Sequence, residues 1–185
     1  MPALVRSNLK ELFRELVQKA MEAQDVRSTE DSEYYLVTLL ERFARPRQDW
    51  FDKPLALEYL ESFHTGRADR YQKLKKVADT SLFVSGIFLE TVERTLVGTE
   101  YYIRLGRTAY GHLALESARP FGELSEKFRE FVRVLSEISF SELFRSEHQV
   151  VRLYTRWLRT GSRRDYEWLM RRGLVPVLAP EGTRH

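Results

Sequence analysis

Apolar residues recur along this chain at three- and four-residue intervals, the spacing that puts side chains on one face of an α-helix. Leu9, Leu12, Phe13, Leu16, Val17 and Ala20 predict a first helix over about Asn8–Gln24, with Asn8 and Glu11 at capping-box positions. A second begins after Ser28 or Thr29 and runs to about Ala44, turning Tyr35, Leu36, Leu39, Leu40 and Phe43 inward; Pro46 closes it. A loop with Trp50 and Phe51 leads to Asp52 and Pro54, which open a third helix carrying Leu57, Leu60 and Phe63 and ending at Gly66.

The longest helical pattern runs from Arg67 to about Leu96. Tyr71, Leu74, Ala78, Leu82, Ser85, Leu89 and Val92 share one face, while Phe83 and Ile87 add apolar groups on the other. A helix that is apolar all round is buried on all sides, so residues 82–89 are expected at the centre of the fold. A fifth helix starts at Gly98-Thr99 and reaches about Ser117. A sixth begins at Pro120, with Phe121, Leu124, Phe128, Phe131, Val132 and Leu135 inward. Glu147 to Thr160 predicts a seventh helix, and Ser162 and Asp165 cap a short eighth that ends at Gly173. Alternating runs and Asn-Gly or Asp-Gly turns are missing. The expectation is all-α: a single compact bundle of seven or eight helices over residues 1–175, with an extended tail at 176–185.

Small residues interrupt this pattern between Leu82 and Ala114. Tyr102, Gly106, Ala109, Tyr110 and Leu113 fall on one face of the fifth helix, and Gly111 falls on the other beside Arg104 and Arg107. A glycine inside a helix costs about 1 kcal/mol relative to alanine, so two in one helix need a physical reason. One reason is close approach of neighbouring backbones. The other is a small ligand against Gly106, walled by Tyr102, Tyr110, Ser85 and Gly86.

Composition narrows the classes of function. With 43% hydrophobic residues and 23 aromatics among 185, the chain can bury a real core. There is no cysteine, which excludes disulfides, thiolate metal sites and cysteine nucleophiles. The N-terminal MPALVRSNLKEL is followed by no apolar core of signal-peptide length, and the longest apolar run, Leu82 to Leu89, is far short of the about 20 residues of a spanning helix. A cytoplasmic protein without membrane insertion is expected.

The net charge of +3 is unevenly spread: residues 141–185 hold nine arginines against five acidic residues. Within that quarter Arg152, Arg156, Arg159 and Arg163 are spaced as a basic stripe. It is either a solvated helix face or an anion- or nucleic-acid-binding surface, since guanidinium pairs with phosphate oxygens. Glu58, Glu61 and His64 contain one Glu-x-x-His spacing; di-metal bundles need two copies. His112 and Glu116 form a weaker pair. No metal centre, cofactor or catalytic residue is expected, because no zinc-protease, phosphate-loop or nucleophile-elbow motif occurs.

The segments LFVSGIF and EYYIRLGRTAYGHLA, followed by PFGELSEKFREFVRVLSEIS, resemble a group of bacterial all-helical proteins without an assigned function. The resemblance covers about residues 34–175 and implies a helical cytoplasmic protein. Tyr101-Tyr102-Ile103, Leu105-Gly106-Arg107-Thr108 and Gly111 are also similar to the glycine-bearing helix of haem oxygenase-like folds, which bends over the haem. Residues 1–33 contain no histidine, so the haem ligand of that family has no counterpart and only the scaffold is implied.

The leading expectation is a non-catalytic regulatory or protein-interaction protein that docks a partner, or a second copy of itself as a homodimer, on a helix face. Tyr34, Trp50, Phe51 and Trp168 are the candidate exposed aromatics. The alternatives are a sensor or enzyme with a ligand near Gly106 and a nucleic-acid-associated protein using the arginine stripe.

Overall fold

The computed structural model describes the backbone of residues 2–43, 53–89 and 98–140 and the side chains of 10–43, 53–89 and 98–138. Seven helices and no strand occur among them. They are α1 (Pro2–Ala23), α2 (Glu30–Phe43), α3 (Leu55–Ser62), α4 (Arg67–Ile87), α5 (Gly98–Ala114), α6 (Phe121–Glu126) and α7 (Phe128–Phe140). The all-helical class read from periodicity is observed. Trp50, Phe51, Trp168, the stripe Arg152, Arg156, Arg159 and Arg163, and the tail lie outside the described residues. No helix among the described residues is long and apolar enough to cross a membrane.

Local chemistry explains the boundaries. Helix α1 ends where Asp25 adopts φ +49°, with Asp25 N–H donating to Glu22 O and Val26 N–H to Met21 O. That is the paired bonding of a Schellman stop. Thr29, one of the two residues expected to start α2, accepts the Glu33 amide on its carbonyl. Pro54 sits just before α3, where its missing N–H costs nothing, and Gly66 precedes α4.

The single helix expected from Pro120 is two. Lys127 leaves helical geometry (φ −97°, ψ 24°), and its ammonium donates to Arg27 O at 2.8 Å and to Glu123 at 2.9 Å. The break separates two packing tasks. Phe121 on α6 meets the rings of Tyr35, Tyr71 and Tyr110, whereas Phe128 at the start of α7 enters the α4–α5 contact.

Every residue of α4 from Val77 to Ile87 is buried. Helices α5 and α7 both pack on α4, α3 lies along its N-terminal part, and α1 pairs with α2 and α7. Glycine permits the closest of these approaches. A Cβ built on Gly86 would lie 2.5 Å from Leu135 Cβ of α7. One built on Gly106 would lie 2.5 Å from Phe128 Cζ and 2.7 Å from Ser81 Cβ. Neither position has room for a methyl group without displacement of its neighbours.

Candidate binding groove

The most elaborate polar cluster is centred on Asp79, which is 1% exposed in the middle of α4. Its Oδ1 accepts hydrogen bonds from the hydroxyls of Tyr35 on α2 and Tyr110 on α5, both at 2.7 Å. Its Oδ2 accepts from Lys75 at 2.9 Å and pairs with Arg42 at 2.7 Å. Lys75 also donates to the Tyr35 hydroxyl at 2.7 Å. Burial, then the neighbouring Asp79 charge, push both phenols well above their ordinary range, so they remain donors. Burial lowers the Lys75 ammonium more than Asp79 raises it. Four donors fill the acceptor capacity of one carboxylate. The cluster therefore ties α2, α4 and α5 together and has no oxygen lone pair left for a substrate.

Sequence reasoning missed this centre. Its signal was an aspartate as the one charged residue in the run 77–89, with a lysine four residues before it. The partners Tyr35 and Tyr110 lie far off in the chain and read only as core aromatics.

The pocket expected around Gly106 is closed. Phe128 and Ser81 occupy the space beside the glycine, and Tyr110 is fully buried with its ring stacked on Phe121 at 5.9 Å. Gly86 is taken up by Leu135. Ser85 turns its hydroxyl back onto Ser81 O at 2.7 Å and Leu82 O at 3.2 Å. Tyr102 is half-buried with its ring edge against Tyr101. Gly86 and Gly106 mark close helix contacts, and a macrocycle such as haem has no room beside Gly106.

The Glu58, Glu61 and His64 set is an ion-pair cluster. Glu61 takes Lys53 at 2.9 Å and Lys73 at 3.1 Å; Glu58 takes Lys73 at 3.4 Å and Lys76 at 3.6 Å. Hydrogen bonds from Lys53 and Lys73 hold the Glu61 carboxyl below its ordinary range. His64 is exposed, with Nδ1 3.2 Å from Leu60 O. No cluster of potential metal ligands occurs among the described residues. His112 and Glu116 also part company. The His112 ring bonds the Tyr59 hydroxyl through Nε2 at 3.0 Å, and Glu116 meets Arg67 at 3.4 Å.

The open concavity lies on the opposite face of α5 from Gly106. It is shallow and open to solvent, spans about 530 Å³ and is lined by Arg104, Arg107, Thr108, Gly111, His112, Leu115 and Ser125. The first five are spaced along α5 so that they form one outward stripe, Leu115 follows the end of that helix, and Ser125 comes from α6. Gly111 makes a notch in the middle of that stripe. A Cβ there would meet only Ser125 Oγ, at 3.4 Å, so packing alone does not demand glycine. The Ser125 hydroxyl donates to Arg107 O at 2.9 Å and the Thr108 hydroxyl to Arg104 O at 2.8 Å. Both protons are committed to the backbone. The guanidiniums of Arg104 and Arg107 are exposed and pair with no acidic residue among the described residues.

An apolar ledge continues from this groove. Leu115, at its end, is 82% exposed. Next to it the His112 and Phe63 rings meet edge to face with centroids 5.3 Å apart, and the Arg70 guanidinium lies over the Phe63 ring, 5.1 Å from its centroid. Phe63 follows α3, whose Leu57 and Leu60 are also exposed. Tyr34, named as a possible interface residue, is exposed on α2, where its hydroxyl accepts a hydrogen bond from Lys10. Set against known proteins, the chain matches no family model, no curated protein and no solved structure. The resemblances stated above rest on the quoted segments alone.

Proposed function

We propose that this is a non-catalytic binding protein that docks an acidic, amphipathic segment of a partner protein across the end of α3 and the outer face of α5. The observation that carries this reading is the exposed pair Arg104 and Arg107, which meet no acidic residue among the described residues, on the wall of a groove whose rim is the 82% exposed Leu115. Charge supports it. Glu58 and Glu61 pair with lysines and Glu116 with Arg67, whereas Glu126, next to Ser125, is exposed. The groove lining itself carries two guanidiniums and, among the described residues, no carboxylate. An exposed apolar row beside these arginines complements a helix with leucines on one side and carboxylates on the next.

The test uses two synthetic helical peptides, one built of leucine and glutamate and its leucine–lysine counterpart, titrated into the isotope-labelled full chain. The Leu/Glu peptide should bind saturably, shift the resonances of Leu60, Gly111 and Leu115, and weaken steeply with salt. Arg104→Ala with Arg107→Ala should weaken it at least tenfold, and Leu115→Ser should weaken it as well. Equal binding of the lysine peptide, or binding indifferent to these substitutions, refutes the reading. A dimer in light scattering that Leu115→Ser dissociates would make the occupant a second copy of this chain instead.

A further inference from the structure

We infer that the anionic group received by the groove is a phosphomonoester dianion, carried on a side chain of the docked segment; this rests on the docking reading above and names its chemistry. Among the described residues, two guanidiniums line the groove and no carboxylate does. Carboxylates of the segment would have to reach the two guanidiniums one by one, whereas one phosphomonoester near neutral pH brings close to two negative charges to a single point. Each guanidinium presents a fork of N–H donors that fits two phosphate oxygens.

The remaining polar groups favour the same distribution of roles. Thr108 and Ser125 have given their hydroxyl protons to Arg104 O and Arg107 O, so they fix the floor and leave donation to the arginines. His112 keeps Nε2 on Tyr59, and its Nδ1 has no hydrogen-bond partner among the described residues. Gly111 leaves the middle of the stripe without a side chain where packing permits a methyl group. On this reading the head group sits at that notch, between the arginines and the Leu115 rim. A bulkier residue at position 111 would fill it.

Phenyl phosphate and phenylacetate, titrated separately into the labelled full chain at pH 7.5 and equal ionic strength, test the charge preference. Phenyl phosphate should shift the Gly111 amide and the side-chain Nε–H signals of Arg104 and Arg107, with a Kd at least tenfold below that of phenylacetate. The shifts should vanish in the Arg104→Ala, Arg107→Ala double variant and in Gly111→Leu, with the thermal transition of each confirming a folded chain. Equal affinities, or shifts that persist in the double variant, overturn the inference.

A second arm replaces one glutamate of the Leu/Glu peptide by phosphoserine. Tightening by tenfold or more supports the inference. A peptide that binds without tightening overturns the phosphate reading and leaves docking intact. If neither peptide binds while phenyl phosphate does, docking fails and the assigned source of the phosphate fails with it. Inorganic phosphate binding as tightly as the phosphopeptide also overturns a side-chain source.

Discussion

The hydroxyl of Tyr110 donates to Oδ1 of Asp79 at 2.7 Å in the interior, joining α5 to α4 through a charge-assisted hydrogen bond. Tyr110 is fully buried, so nothing from solvent replaces this donor. Tyr110→Phe should lower stability by about 1.5–3 kcal/mol, the range for a hydrogen bond to a charged group. Asp79→Ala should cost more, about 3 kcal/mol or above, because it strands two phenol donors and two half-buried cations at once. Urea midpoints measure both. A Tyr110→Phe chain as stable as the parent would remove the Asp79 cluster from the list of what holds α5 in place.

Two glycines on one helix have opposite consequences. At Gly106 a methyl group meets Phe128 and Ser81 below any real contact distance; at Gly111 it meets one hydroxyl oxygen at 3.4 Å. Gly106→Ala should destabilise by about 1–3 kcal/mol through overpacking. Gly111→Ala should stabilise by up to about 1 kcal/mol through helix propensity. Chemical denaturation of the two single variants decides it. The same sign for both would mean that the two helix faces do not differ as described.

Helical class and most helix starts were legible because they depend on local chemistry: periodic apolar residues, the Thr29 start, Pro54, Gly66 before α4 and Gly98 at the first position of α5. The break at Lys127 was not, since Phe121, Leu124, Phe128 and Phe131 keep helical spacing straight through it. What divides α6 from α7 is a lysine reaching back to Arg27 O, a contact between distant parts of the chain. The site was half legible. The sequence places Arg104, Arg107 and Gly111 on one face, yet it cannot tell which glycine is filled by a neighbour. That depends on Phe128, brought to Gly106 only by the α6–α7 break. Asp79 was hidden for the same reason: its partners come from three helices.

Asp25 holds φ +49°, a conformation that costs an L-residue about 1–2 kcal/mol and glycine almost nothing. The bonds on either side of it, Asp25 N–H to Glu22 O and Val26 N–H to Met21 O, require that turn. Its side chain is exposed. Asp25→Gly should therefore raise the thermal transition, by an amount equivalent to up to about 1 kcal/mol after the greater entropy of the unfolded glycine chain is subtracted. Asp25→Val, β-branched at a left-handed position, should lower it. Calorimetry on the pair gives opposite shifts if this residue sets the end of α1.

Glu123 links α6 to the start of α2, and this makes the fold acid-sensitive. Its carboxylate accepts from Thr29 N–H at 3.0 Å, from the Thr29 hydroxyl at 2.5 Å, from Ser32 Oγ at 2.6 Å and from Lys127 at 2.9 Å. Burial alone would raise its pKa, but these donors together bring it down from 4.5 to about 2. The folded value lies below the unfolded one. The charged form therefore contributes its full stabilisation above about pH 4.5, and that contribution is lost as pH falls toward 2. The full shift corresponds to about 3 kcal/mol, and solvent screening at this partly exposed site reduces what it contributes. Glu123→Gln should lower stability at pH 7 and flatten its dependence on pH between 4.5 and 2. Urea midpoints collected across that window in the parent and the variant check this. Parallel curves would mean that Glu123 does not carry the acid response and that the tie between α6 and α2 rests on its uncharged neighbours.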